Sequence, residues 1–145
     1  MSRTARRPAA LVVALMLVMG TLLAAVGCGA PSADLFLVER TGEGPGANLK
    51  LLVSDDGSVR CNGKRPRTMS SALLLDARGI ARDLDKQARR KVNLLPGRNA
   101  VLRYRVRLEN GTVEFSDTSR PLAKDMLELA AFTRTISQRV CGLAR

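Results

Sequence analysis

The 145-residue chain contains no histidine and no tryptophan. Without histidine there is no imidazole to serve as a general base near neutral pH, to ligate zinc, or to activate a serine or cysteine in a Ser-His or Cys-His pair. Aromatics are scarce as well, one Tyr and three Phe. Phe36, Tyr104, Phe115 and Phe132 fall in apolar patterns that commit them to a core, leaving no platform for stacked bases. Carboxylates are the minority charge: 13 Asp plus Glu stand against 24 Lys plus Arg, a formal net charge of +11. Asp83-x-Asp85 lacks the remaining ligands of a calcium loop, and Lys124 lies five residues after Ser119 rather than at Ser-x-x-Lys spacing. The reading is therefore non-catalytic, with no cofactor and no metal site expected.

What is present divides unevenly. Met1 to Pro8 carries Arg3, Arg6 and Arg7, and Ala9 to Val26 is an uncharged apolar run of 18 residues followed by Gly27, Cys28 and Gly29. A basic start, an apolar stretch and then small residues make the tripartite pattern of an export signal. Ala25-Val26-Gly27-Cys28 resembles the lipobox of bacterial lipoproteins, with Ala25 where leucine is usual. The resemblance implies that a diacylglyceryl group is attached to Cys28 and that cleavage makes Cys28 the new first residue. Residues 1–27 are then a signal peptide, 28–33 a short lipidated tether and 34–145 a single domain on the outer face of the cytoplasmic membrane. Two alternatives stay open: the run just reaches bilayer-spanning length as an uncleaved N-terminal anchor, or simple cleavage releases a secreted domain. All three place the domain outside the cytoplasm.

Outside the cytoplasm the surroundings are oxidising, so Cys61 and Cys141, the remaining cysteines, are expected to pair. No other Cys or His exists to complete a zinc site with them. A bridge closing a loop of about 80 residues contributes roughly 4–5 kcal/mol on the chain-entropy model.

The domain reads as α+β. Asp34 to Arg40 is an apolar strand, and the turn-rich Thr41 to Asn48 is a plain loop, because no helix follows its glycines to make a phosphate site. Leu49 to Ser54 and Ser58 to Cys61 form a hairpin. A three-residue loop with Gly57 in the left-handed region pairs Val53 with Val59 and Leu51 with Cys61, keeping one face apolar and Cys61 inward. A second hairpin joins Val101–Leu108 to Thr112–Ser116. A type I′ turn at Asn110-Gly111 would pair Leu108 with Val113, Val106 with Phe115 and Arg107 with Glu114. Ser70 to Gln87 is a helix with Leu73, Ala77, Ile80 and Leu84 on its buried face. A second helix is expected to open at Pro121 and to bury Leu122, Met126, Leu129, Thr133, Ile136 and Val140, with Gly142 as its stop. The order β-β-β-α-β-β-α implies an antiparallel sheet of about five strands with both helices on one face.

In these registers Arg103, Arg105 and Arg107 project together from the outward side of the sheet, joined by Lys50 and Arg60. Charged residues on the wet side of an antiparallel sheet are also the ordinary solvated arrangement. Near an anionic surface each such cation contributes about 1 kcal/mol of attraction, and an anionic polymer, a lipid surface or an acidic protein would suit the face equally. Nucleic acid is not an expected partner.

The lipobox-like start, 19 arginines against 5 lysines, and the segments Val53-Ser54-Asp55-Asp56-Gly57, Tyr104-Arg105-Val106-Arg107 and Phe115-Ser116-Asp117-Thr118-Ser119 look similar to small actinobacterial cell-envelope lipoproteins of unknown function. The resemblance implies location but no activity. A second likeness is to the subtilisin-inhibitor type of small secreted domain, which uses two bridges where only Cys61 and Cys141 are present here. The expected function is thus a membrane-anchored, extracytoplasmic, non-catalytic binding module; a protease inhibitor or an envelope enzyme are the alternatives.

Overall fold

The computed structural model describes residues 33–144. Cys28 and the apolar segment before it lie outside them. The elements follow in the order β1 (Asp34–Gly42), β2 (Leu49–Ser54), β3 (Ser58–Cys61), β4 (Arg67–Thr68), α1 (Ser71–Arg89), β5 (Leu102–Leu108), β6 (Gly111–Ser116) and α2 (Lys124–Arg139). The strands make one antiparallel sheet ordered β4-β3-β2-β1-β5-β6. The sheet thus has six strands rather than about five, because Arg67 and Thr68 return along β3 opposite Val59 and Ser58. A two-residue strand leaves no periodic pattern to read.

Alternation along the strands buries one face and wets the other. Phe36, Val38, Leu51, Val53, Val106 and Val113 all point to the buried side. α1 brings Ala77, Ile80, Leu84 and Ala88 onto them, and Ser70 caps the helix by accepting a hydrogen bond from the Leu73 N–H. α2 adds Met126, Leu129, Phe132 and Ile136. Phe132 meets Phe36 edge-on with ring centroids 6.0 Å apart, while Tyr104 and Phe115 stack at 4.9 Å. Cys61 and Cys141 form a disulfide, Cα atoms 6.0 Å apart, which ties the end of α2 to β3. Among the described residues no helix is long and apolar enough to cross a membrane.

Three local features differ from the sequence reading. α2 begins at Lys124, not at Pro121: the first helical bonds run from the Met126 and Leu127 N–H groups to the Ala123 carbonyl. The preceding turn is held elsewhere, by the Ser119 hydroxyl, which donates to the Leu95 carbonyl at 2.9 Å and accepts from the Ser116 N–H at 2.9 Å. The second hairpin turns on Glu109-Asn110, so that Leu108 pairs with Gly111, Val106 with Val113 and Tyr104 with Phe115. Each partner has moved by two positions. An even shift keeps every side chain on its face, which is why the core assignment survives while Arg105, rather than Arg107, comes to face Glu114. The third feature is Arg40, which sits at an inward position of β1 and is 2 % exposed. Its guanidinium donates to the carbonyls of Ala47 and Gly46 at 3.0 and 2.8 Å. The turn-rich loop after β1 is therefore wrapped around a buried cation rather than hanging free.

The first hairpin has the expected register. Leu51 faces Cys61 and Val53 faces Val59, with Gly57 at φ +82°. That backbone conformation favours glycine.

Candidate functional site

The five cations singled out from the sequence, Lys50, Arg60, Arg103, Arg105 and Arg107, all emerge exposed on the outer face of the sheet. Pairing across the sheet places them in rows. Lys50 and Arg105 flank Glu39 in the middle of the sheet, and Glu114 follows Arg105, so positive and negative side chains alternate along one line. Lys50 lies 3.2 Å from Glu39 and Arg105 3.4 Å from Glu114. Pairs this exposed, with side chains 41–64 % accessible, contribute about 0–1 kcal/mol. A ligand that offers a better acceptor displaces them at little cost.

Arg60, Arg103 and Arg107 make no ion pair among the described residues. Arg60 stands opposite Leu52, which faces Leu37, which in turn faces Arg107. Two leucines thus floor the space between two guanidinium groups. Leu37 is 8 % exposed although it belongs to the outer face, the covering expected when long arginine stems lie along apolar surface. Arg103 sits further up β5, opposite Thr41.

The face is not flat. A depression of about 410 Å³ lies against the segment containing Asn93, Leu94 and Pro96, next to Arg103. A second of about 250 Å³ contains Leu37, Arg107 and Thr112. A third of about 220 Å³ contains Leu52, Arg60 and Gly63. The wall beside the first is fixed by backbone bonds: the Leu94 N–H donates to the Glu114 carbonyl at 2.9 Å and the Glu114 N–H to the Val92 carbonyl at 3.1 Å.

No family model, curated protein or solved structure matches the chain.

Sequence reasoning missed two parts of this face. The loop after β3 exposes Lys64 and Arg65 next to Gly63, which lines the third depression; the run Lys64-Arg65-Pro66-Arg67 was a visible cluster of charge. Arg67 is partly committed, donating to the Val140 carbonyl. The wall at Asn93 to Pro96 had no such signal, because it arises from an isolated parallel bridge between Asn93 and Glu114. The guanidinium forks of this face suit phosphate or carboxylate oxygens.

Proposed function

We propose that this chain is an extracytoplasmic lipoprotein, anchored through Cys28, whose folded domain is a non-catalytic module that binds an anionic partner of the cell envelope through the outer sheet face. The observation that carries the binding reading is the grouping of Arg60, Arg103 and Arg107, without ion pairs among the described residues, on one face with Lys50 and Arg105. The anchor reading is supported by the small residues before Cys28 and by the position of Asp34 at the start of β1, which leaves a tether of only a few residues. Such a tether holds the domain within roughly a dozen ångströms of its attachment point.

The test is retention of the full chain, held in neutral detergent, on an immobilised polyanion and on a neutral matrix at low and high salt. Wild type should be retained on the polyanion alone and eluted by salt, as expected when cations replace condensed counterions. The triple variant R60Q/R103Q/R107Q should elute early. Equal, salt-insensitive retention of both proteins would remove the basis for the proposal.

A further inference from the structure

Resting on the reading that the outer face binds anions, we infer that its occupant is a linear polyanion, a chain carrying acidic groups at intervals, laid in a trough across the sheet rather than a planar lipid surface. Shape is the first reason. The three depressions adjoin one another: the first and second share Glu39 and Arg105, the second and third share Leu37 and Arg107. Taken in order they trace a channel-like path from the wall at Asn93 to Pro96, across β6, β5, β1 and β2, to Gly63 beside β3. A bilayer presents a flat front and meets the rims of such a channel before its floor. A chain one polymer wide follows the floor.

Charge placement is the second reason. Arg103 and Arg60 lie three strand spacings apart and four residues apart along the strands, so about 20 Å separates them on the diagonal. Arg107 stands at the corner between them, level with Arg60 across the sheet and four residues from Arg103 along β5. The middle of the channel also holds Glu39, whose carboxylate lies between Lys50 and Arg105, and Glu114 stands beside its first section. Asp34 borders the third depression, its carboxylate accepting from the Ser54 hydroxyl. A small anion centred in the channel meets these carboxylates as well as the cations. An extended one places its groups on Arg103, Arg107 and Arg60 and passes Glu39 with an uncharged link.

The leucine floor at Leu37 and Leu52 suits the link between the groups on Arg107 and Arg60, since it offers apolar contact between two guanidinium groups. At the Gly63 end the exposed Lys64 and Arg65 carry the positive surface beyond the sheet. Arginine supplies four of the five face cations, and its planar fork grips each acidic group through paired hydrogen bonds.

The probes are inorganic phosphate, tripolyphosphate and long-chain polyphosphate, added to the full chain in neutral detergent. Reconstitution into phosphatidylglycerol vesicles and into phosphatidylcholine vesicles supplies the lipid arms. Arginine labelling with phenylglyoxal, read residue by residue by mass spectrometry, reports which guanidinium groups are covered. Long polyphosphate is expected to bind at least tenfold more tightly than inorganic phosphate, to protect Arg60, Arg103 and Arg107 together, and to lose at least tenfold in affinity in R60Q/R103Q/R107Q. Affinity independent of chain length would overturn the linear ligand. So would protection by phosphatidylglycerol bilayers without protection by polyphosphate, and either result leaves a basic face that binds anions of another shape. Failure of every anion to bind or protect would remove both this inference and the function on which it rests. Circular dichroism and the intact Cys61–Cys141 disulfide confirm that the variant is folded.

Discussion

The carboxylate of Asp85, on α1, accepts two hydrogen bonds from Asn110 at the tip of the second hairpin, from its backbone N–H at 3.1 Å and from its side-chain amide at 2.9 Å. Next to it Gly111 passes so close to α1 that a Cβ there would lie 2.6 Å from the Ala88 carbonyl. These contacts fix the turn at Glu109-Asn110. They therefore decide which arginine of β5 meets Glu114.

Asp85→Asn should lower stability by about 1–3 kcal/mol, the range for losing hydrogen bonds to a charged acceptor, measured by urea unfolding. The mutation should also flatten the acid limb of stability. Desolvation pushes the Asp85 pKa up, but hydrogen bonds from Arg89 and Asn110 outweigh it, and the net direction is down. The folded state thus takes up this proton less readily than the unfolded chain, whose aspartates titrate near about 3.9. The stability it confers is complete above that pH and is lost as pH falls through the lower folded value. A wild-type slope below about pH 4 no steeper than that of the variant would contradict this role.

The Cys61–Cys141 bridge spans 80 residues. C61A/C141A should cost roughly 4–5 kcal/mol by the loss of chain constraint. Hydrogen exchange should accelerate most in the last turns of α2, where Arg67 also bonds the Val140 carbonyl. Uniform acceleration across the sheet would show that the bridge does not act through α2.

Thr133 is fully buried on α2, and its hydroxyl has no hydrogen-bond partner among the described residues. A buried donor without a partner carries an uncompensated desolvation cost. Thr133→Val keeps the shape and removes that cost, so the variant should match wild type or gain about 1–2 kcal/mol. A loss of similar size would mean that the hydroxyl is satisfied in solution.

Glu39 lies between Lys50 and Arg105 in the proposed channel. Glu39→Gln should tighten polyphosphate binding several-fold and leave the melting temperature nearly unchanged, because the exposed pair it breaks contributes about 0–1 kcal/mol. Weaker binding would place the anion elsewhere.

Intact mass of the protein purified from membranes tests the anchor. The expected species begins at Cys28 and carries a diacylglyceryl group, and Cys28→Ala should accumulate uncleaved precursor. A wild-type chain that begins at Met1 or at an unmodified residue contradicts lipidation.

Much of this was legible in the linear chain. Alternation in Leu49–Ser54 and Ser58–Cys61, with Gly57 at the turn, carries the first register and the inward path of Cys61. The period of Ala77, Ile80 and Leu84 marks the buried side of α1. The outward direction of Arg103, Arg105 and Arg107 follows from strand parity, which a shift of two residues does not disturb. Arg40 was not legible, since an arginine ending an apolar strand reads as a solvated edge until the loop at Gly46 and Ala47 folds over it.

By itself the sequence determined the elements other than β4, their buried faces and the side of the sheet on which the cations stand, because those follow from local periodicity and turn chemistry. Only the tertiary structure decided that β5 lies against β1, that Asn110 docks on α1, and that a wall at Asn93 to Pro96 borders a depression on the outer face. These are contacts between segments distant along the chain. Their geometry is set by packing and by backbone groups seeking partners, and no residue type announces it.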